Sequence, residues 1–110
     1  MRWYEAELLT ENNTTDALNE VLGDGSFTLA GRTIARISPW TIEEIAALGR
    51  EVTETQLRLE IPVHAADDLD KATHIRLLEY GRYTGAMKIV YPIRDLSPRW
   101  LSVTVKAVRT

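Results

Sequence analysis

The stretch that decides the fold is SPWTIEEIAALGREVTETQLRLEIP, residues 38–62. It moves from a short helix signature straight into the clearest strand signature of the chain. Pro39 has no N–H to give a sheet and biases Ser38 away from helical angles, so a preceding strand must stop there. Thr41 has the character of an N-cap, and Glu44, three residues on, completes a T-x-x-E capping box. Ile42, Ile45, Ala46 and Leu48 draw an apolar stripe at helical spacing. Glu43 and Glu44 occupy the first turn, where the helix dipole favours acids, and Gly49 is placed to stop the helix in a left-handed conformation. A helix this short does not hold together alone in water, so its stripe requires a packing partner. Trp40, beside the cap, is placed either to staple onto Ile45 or to make an intermolecular contact.

From about Val52 to Val63 the period changes to two. Leu57, Leu59 and Ile61 alternate with Gln56, Arg58 and Glu60, which predicts a half-buried strand ending near Pro62. The same alternation marks other strands on either side. Trp3–Leu9 is the first. The polar run after it, TENNTTDALNEVLGDGS, reads as a loop or long hairpin connection with its strongest turn signal at Gly23-Asp24-Gly25. A second strand is expected from Phe27 to Ile37, bent or bulged at Gly31. HAADDLDKAT reads as a polar connection with room for one short turn. A fourth strand is expected over His74–Tyr80, a turn at Gly81, a fifth over Arg82–Ile93 and a sixth over Trp100–Val108. About six strands at hairpin spacing, with one short helix between the second and third, predict a mainly β chain: a small antiparallel β-barrel forming a single domain over residues 1–110. A sandwich is the neighbouring solution, but a barrel hides strand edges better. Leu57, Leu59, Ile61, Ile89, Val103 and Val105 should face the core, and Arg58, Glu60, Lys88 and Lys106 the solvent.

Composition narrows the function classes. The chain has 110 residues and no cysteine, which removes disulfides, thiolate metal sites and cysteine nucleophiles and fits a reducing cytosol. No apolar run approaches the roughly 20 residues of a membrane span, and the N-terminus lacks the apolar core of a signal peptide, so neither a membrane nor export is expected. The formal net charge of −3 argues against a surface that coats a phosphate backbone.

Chemistry has little support. His64, Asp67, Asp68, Asp70 and His74 could supply imidazole and carboxylate to a metal, but neither histidine has a partner at fixed helical spacing, and a solvated loop explains them as well. Phosphate-cradle, zincin and nucleophile-elbow motifs are missing. No enzyme activity, metal or cofactor is expected. A nucleic-acid-binding small barrel is the alternative, with Arg82, Tyr83, Lys88, Tyr91, Arg94, Arg99, Trp100, Lys106 and Arg109 as candidates for stacking and phosphate contact. Against it, strand aromatics usually fill a core, and the interleaved basic residues would then be its outer face.

Four stretches, in this order, resemble the head–tail joining proteins of tailed phages, also called head-closure, stopper or head–tail adaptor proteins. The first strand with TTDALNEV resembles their opening, with Asn19 where the pattern carries glycine. TIARISPWTIEEIAALGREVTETQLRLEIP matches their strand, capped helix and strand. THIRLLEYGRYTGAMKIVYPI resembles their glycine-turned hairpin, and RWLSVTVKAV their closing strand. The resemblance implies a structural virion or prophage protein that assembles into a homo-oligomeric ring, a dodecamer in the particle, with a monomer admissible in isolation. The ring would close the DNA-filled capsid and offer a platform to the tail. Its partners would be portal or adaptor proteins and tail proteins; DNA would pass through without specific binding. Its place would be the head–tail junction, after assembly in the host cytoplasm. The connection between the second and third strands would be the channel gate or subunit-interface segment, carried here by Trp40, Ile42, Glu43, Glu44, Ile45, Leu48, Glu51 and Glu54. Glu43, Glu44, Glu51 and Glu54 would give a channel an acidic lining that repels phosphate. A helix that plugs the open end of its own barrel explains the stripe equally well.

Overall fold

Strand alternation closes the chain on itself. A computed structural model describes residues 2–15, 21–80 and 85–107, leaving aside the side chains of residues 13–15, 21–25, 51, 53–54, 92 and 107. Six strands, β1 (Trp3–Thr15), β2 (Val21–Ser38), β3 (Gln56–Pro62), β4 (His74–Leu77), β5 (Met87–Asp95) and β6 (Trp100–Ala107), form an antiparallel barrel in the order β1-β2-β3-β6-β5-β4. The closure is made by Ala6–Leu9 of β1 against His74–Leu77 of β4. Among the described residues no helix is long and apolar enough to cross a membrane.

The faces follow the period-2 pattern. Leu59, Ile61, Ile89, Val103 and Val105 are buried as predicted and join Leu8, Ile75 and Met87 in one core. Lys88 and Lys106 face solvent. Leu57 is only partly buried, because it lies at the start of β3 where the barrel wall opens, and Arg58 and Glu60 are half-buried by ion pairs on the outer face.

Several boundaries differ from the sequence reading, each for a local reason. The polar run after Leu9 is no simple loop: β1 continues to Thr15 and pairs with Val21–Gly23 of β2. The Gly23-Asp24-Gly25 signal marks an irregularity inside that ribbon. Between the pairs Glu11↔Phe27 and Asn13↔Gly23, β2 uses two more residues than β1, and glycine tolerates the bulge as readily as it tolerates a turn. Residues 16–20 fall outside the described residues, as do Gly81 and Tyr83. The third strand starts at Gln56 instead of Val52, since Arg50–Thr55 form a second short helix. The β-branched Val52, Thr53 and Thr55 suit a strand, but no inward alternation begins before Leu57. β4 stops at Leu77, and β5 begins at Met87.

The helices are α1 (Ile42–Leu48), α2 (Arg50–Thr55) and α3 (Ala66–Lys71), the last preceded by a 3₁₀ turn at Val63–Ala65. The sequence predicts a polar connection with room for one short turn over HAADDLDKAT, yet Ala65, Leu69 and Ala72 are buried in the core. Their spacing, i, i+4 and i+7, is a helical stripe hidden among four charged residues. α3 therefore closes the barrel against β1 and β2, and the Asp68 side chain lies directly on the Cα of Gly31. A Cβ at Gly31 would stand 2.4 Å from Asp68 Oδ2 and 2.9 Å from its Cβ. Gly31 also sits at the β1–β2 register shift between Leu8 and Leu9, the bulge its position suggested. Replacing Gly31→Ala should push α3 off the barrel and cost about 1–3 kcal/mol in urea unfolding; a neutral substitution would show that α3 packs loosely.

Candidate functional site

α1 is built as its sequence specifies and then left outside the core. The Glu44 N–H donates to Thr41 Oγ1 at 3.1 Å and the Thr41 N–H to Glu44 Oε1 at 3.1 Å, completing the capping box. The Gly49 N–H closes the last turn on the Ile45 carbonyl at 2.9 Å. Gly49 has φ 90° and ψ 150°. Its φ is left-handed as expected, but the extended ψ breaks the helix axis and lets α2 start at once, a conformation essentially reserved for glycine. No residue of α1 is buried. Ile42 is 86% exposed, Ile45 37% and Leu48 48%. α1 is thus no plug; α3 holds that place.

What fixes α1 in position is polar. Arg58, on the outer face of β3, forms an ion pair with Glu44 and donates through Nη2 to the Pro39 carbonyl at 2.7 Å. Its guanidinium carbon lies 4.9 Å from the centre of the Trp40 ring, a cation–π contact worth about 0.5–1 kcal/mol in a partly exposed setting. The Trp40 indole N–H donates to the Gln56 carbonyl at 3.1 Å. Trp40 therefore resolves into an intramolecular bolt between the helix entry and β3. The hydrogen bond from Arg58, followed by that from the Thr41 backbone, holds the Glu44 carboxyl below its ordinary value, against a small opposing effect of desolvation.

Between α1–α2 and the outer barrel wall runs a groove of about 340 Å³. Trp40, Leu48, Val52 and Val90 supply apolar surface, and Ser102 and Thr104 hydroxyls lie on its floor. Arg94 stands at the groove, and Lys88 and Lys106 face each other across β5 and β6 beside it. Like charges directly opposite on a sheet repel. Among the described residues none of these three cations has an ion pair. Glu43 on α1 is exposed and likewise unpaired among the described residues. The side chains of Glu51 and Glu54 lie outside the description, so an acidic lining by all four glutamates is not placed.

The remaining candidates disperse. His64 is exposed, whereas His74 is buried edge-on against Phe27, 4.8 Å between ring centres, with its Nδ1 2.8 Å from Thr73 Oγ1. Burial pushes its imidazole down; Glu11 works against this and Lys88 with it. No group of three or more metal-ligating side chains gathers among the described residues. The aromatics offered for base stacking are largely engaged. Trp3 and Trp100 stack on each other at 5.1 Å, with Arg36 5.2 Å from both rings and paired with Glu60. Tyr91 sits where β5 uses two more residues than β6 between Val90 and Arg94, and its hydroxyl donates to the Ala72 carbonyl at 2.6 Å. Burial, then Asp70, raises this phenol, which favours the donor form.

No protein-family model matches the chain, and no curated protein does. Among solved structures the chain is similar to the solution structure of protein SF1141 from Shigella flexneri 2a, with a TM-score of 0.59 and 15% identity over 97% of this chain and 91% of that one. At that identity the likeness is one of fold.

The anchor has a consequence that solution measurements can read. Arg58→Ala should release α1: the Trp40 indole proton should exchange faster, and helical chemical shifts over residues 42–48 should fade while those of the barrel persist. Acid should act the same way. The folded-state value of Glu44 is depressed, so its contribution is present above its ordinary 4.5 and lost as pH falls through the lower folded value. An α1 that survives both perturbations would show that the Arg58 network is not its anchor.

Proposed function

We propose that the chain is a structural component of a tailed-phage head–tail connector. It assembles as a homo-oligomeric ring, a dodecamer, that closes the DNA-filled head and presents a platform to the tail. The observation that carries this reading is the pairing of a closed barrel with a capped, anchored and uncovered helix on the β2–β3 connection. That is the point in chain order where the resembled family carries its gate or interface segment. A fully buried isoleucine gains about 1.5–3 kcal/mol over an exposed one. Ile42 leaves most of that gain unclaimed in the single chain, and Ile45 and Leu48 leave part of it; a neighbouring subunit, portal or tail protein would supply the cover. The net charge of −3 suits a channel that DNA crosses without adhering. The role involves no catalysis and no cofactor, and its place is the virion.

Deleting the coding sequence from the phage or prophage that carries it should yield separate heads and tails by electron microscopy, with heads that lose their DNA. Adding the purified chain should restore joined particles. Particles that join normally without it would overturn the reading. Tight binding of the purified chain to single-stranded DNA at physiological salt, abolished by Trp100→Ala, would favour the nucleic-acid-binding barrel instead.

A further inference from the structure

The α1 surface and the groove beneath it are complementary, and one chain cannot join them. Glu44 and Leu48, at i and i+4, lie on the helix face that walls the groove. Ile42 is two residues before Glu44, about 200° around the helix, and so projects from the opposite face. The outward face offers an isoleucine at 86% exposure and, at Glu43, a carboxylate with no ion pair among the described residues. The groove offers Leu48, Val52 and Val90 for an apolar side chain, with Arg94 as a cation that has no ion pair among the described residues and the Lys88–Lys106 pair alongside. Because Arg58 and Trp40 hold α1 in place, the exposure of Ile42 does not come from a frayed segment.

We infer that the groove receives the α1 tip of a second copy of this chain, Ile42 entering the apolar walls and Glu43 meeting Arg94 and the Lys88–Lys106 pair. Charge complementarity selects this occupant. Glu43 at the α1 tip is exposed, and among the described residues neither it nor Arg94, Lys88 and Lys106 at the groove has an ion pair within the chain. The contact uses a different surface on each copy, so it repeats head to tail and generates a ring where the rotation closes. In that respect it rests on the connector reading and deepens it, assigning the β2–β3 segment to the subunit interface. Its charged part is exposed at the rim and should weaken with added salt.

The chain's lack of cysteine makes a clean cross-linking test possible. Ile42→Cys combined with Val90→Cys, mildly oxidised, should give a ladder of covalent oligomers, while either substitution alone stops at dimers. Glu43→Arg in that background should reduce the ladder several-fold, and adding Arg94→Glu should restore it. Circular dichroism unchanged from the parent shows that each variant is folded. A ladder no stronger than that of a control pair placed elsewhere, Ile42→Cys with Leu29→Cys, or no ladder at all, overturns the contact. Either failure leaves the connector reading to stand or fall on its own deletion experiment.

Discussion

The organisation of this protein turns on one side chain, Arg58. It leaves the outer face of β3, pairs with Glu44, donates to the Pro39 carbonyl and covers the Trp40 ring. Four separate links thereby converge on the entry to α1, once the Trp40 bond to Gln56 is counted with them. Without them a seven-residue helix with no buried side chain has no reason to form in water. With them, the helix keeps a fixed orientation and its apolar stripe stays partly uncovered, at Ile42 above all. Polar anchoring in place of core packing is what separates a displayed helix from a plug.

The barrel makes that separation possible because its interior is already satisfied. Leu69, Ala65 and Ala72 from the α3 region complete the core, and the absence of a side chain at Gly31 lets Asp68 come down onto β2. Tyr91, turned outward at the irregular part of β5, ties the end of α3 to the opposite wall through the Ala72 carbonyl. The connection between β2 and β3 is consequently free of any duty to the core. Its pairing region is short, Arg36–Ser38 against Arg58–Glu60, and three of those residues, Arg36, Arg58 and Glu60, also carry the ion pairs that organise the outer face.

Much of this was legible in the sequence. Pro39 ended β2 at Ser38, the T-x-x-E box placed α1, and alternation at Leu57–Ile61 and Leu101–Val105 gave the inward faces correctly. What escaped reading did so where a local signal has two structural meanings. Gly-Asp-Gly serves a turn or a bulge, and the β-branched Val52, Thr53 and Thr55 suit a strand or a short helix held by its neighbours. The α3 stripe is diluted by Asp67, Asp70 and Lys71, which face solvent, and by Asp68, which lies against β2. Of the candidate site, Trp40 and the α1 residues were identifiable. The groove was not, because Val90, Arg94, Ser102 and Thr104 come from strands far along the chain and meet α1 only when the barrel closes. Arg58 was readable as an outward residue, but nothing in the sequence pairs it with Glu44.

Hydrogen exchange on the isolated chain and on the assembled ring tests the central claim most directly, because local opening is cheap where no side chain is buried. In the isolated chain the amides of Ile45–Gly49 should exchange well ahead of those in Leu57–Ile61. In the ring they should slow markedly, together with Lys88–Val90 and Ser102–Lys106. An α1 already as protected as β3 in the isolated chain, or one unchanged on assembly, would contradict the account of a helix held out for a neighbour.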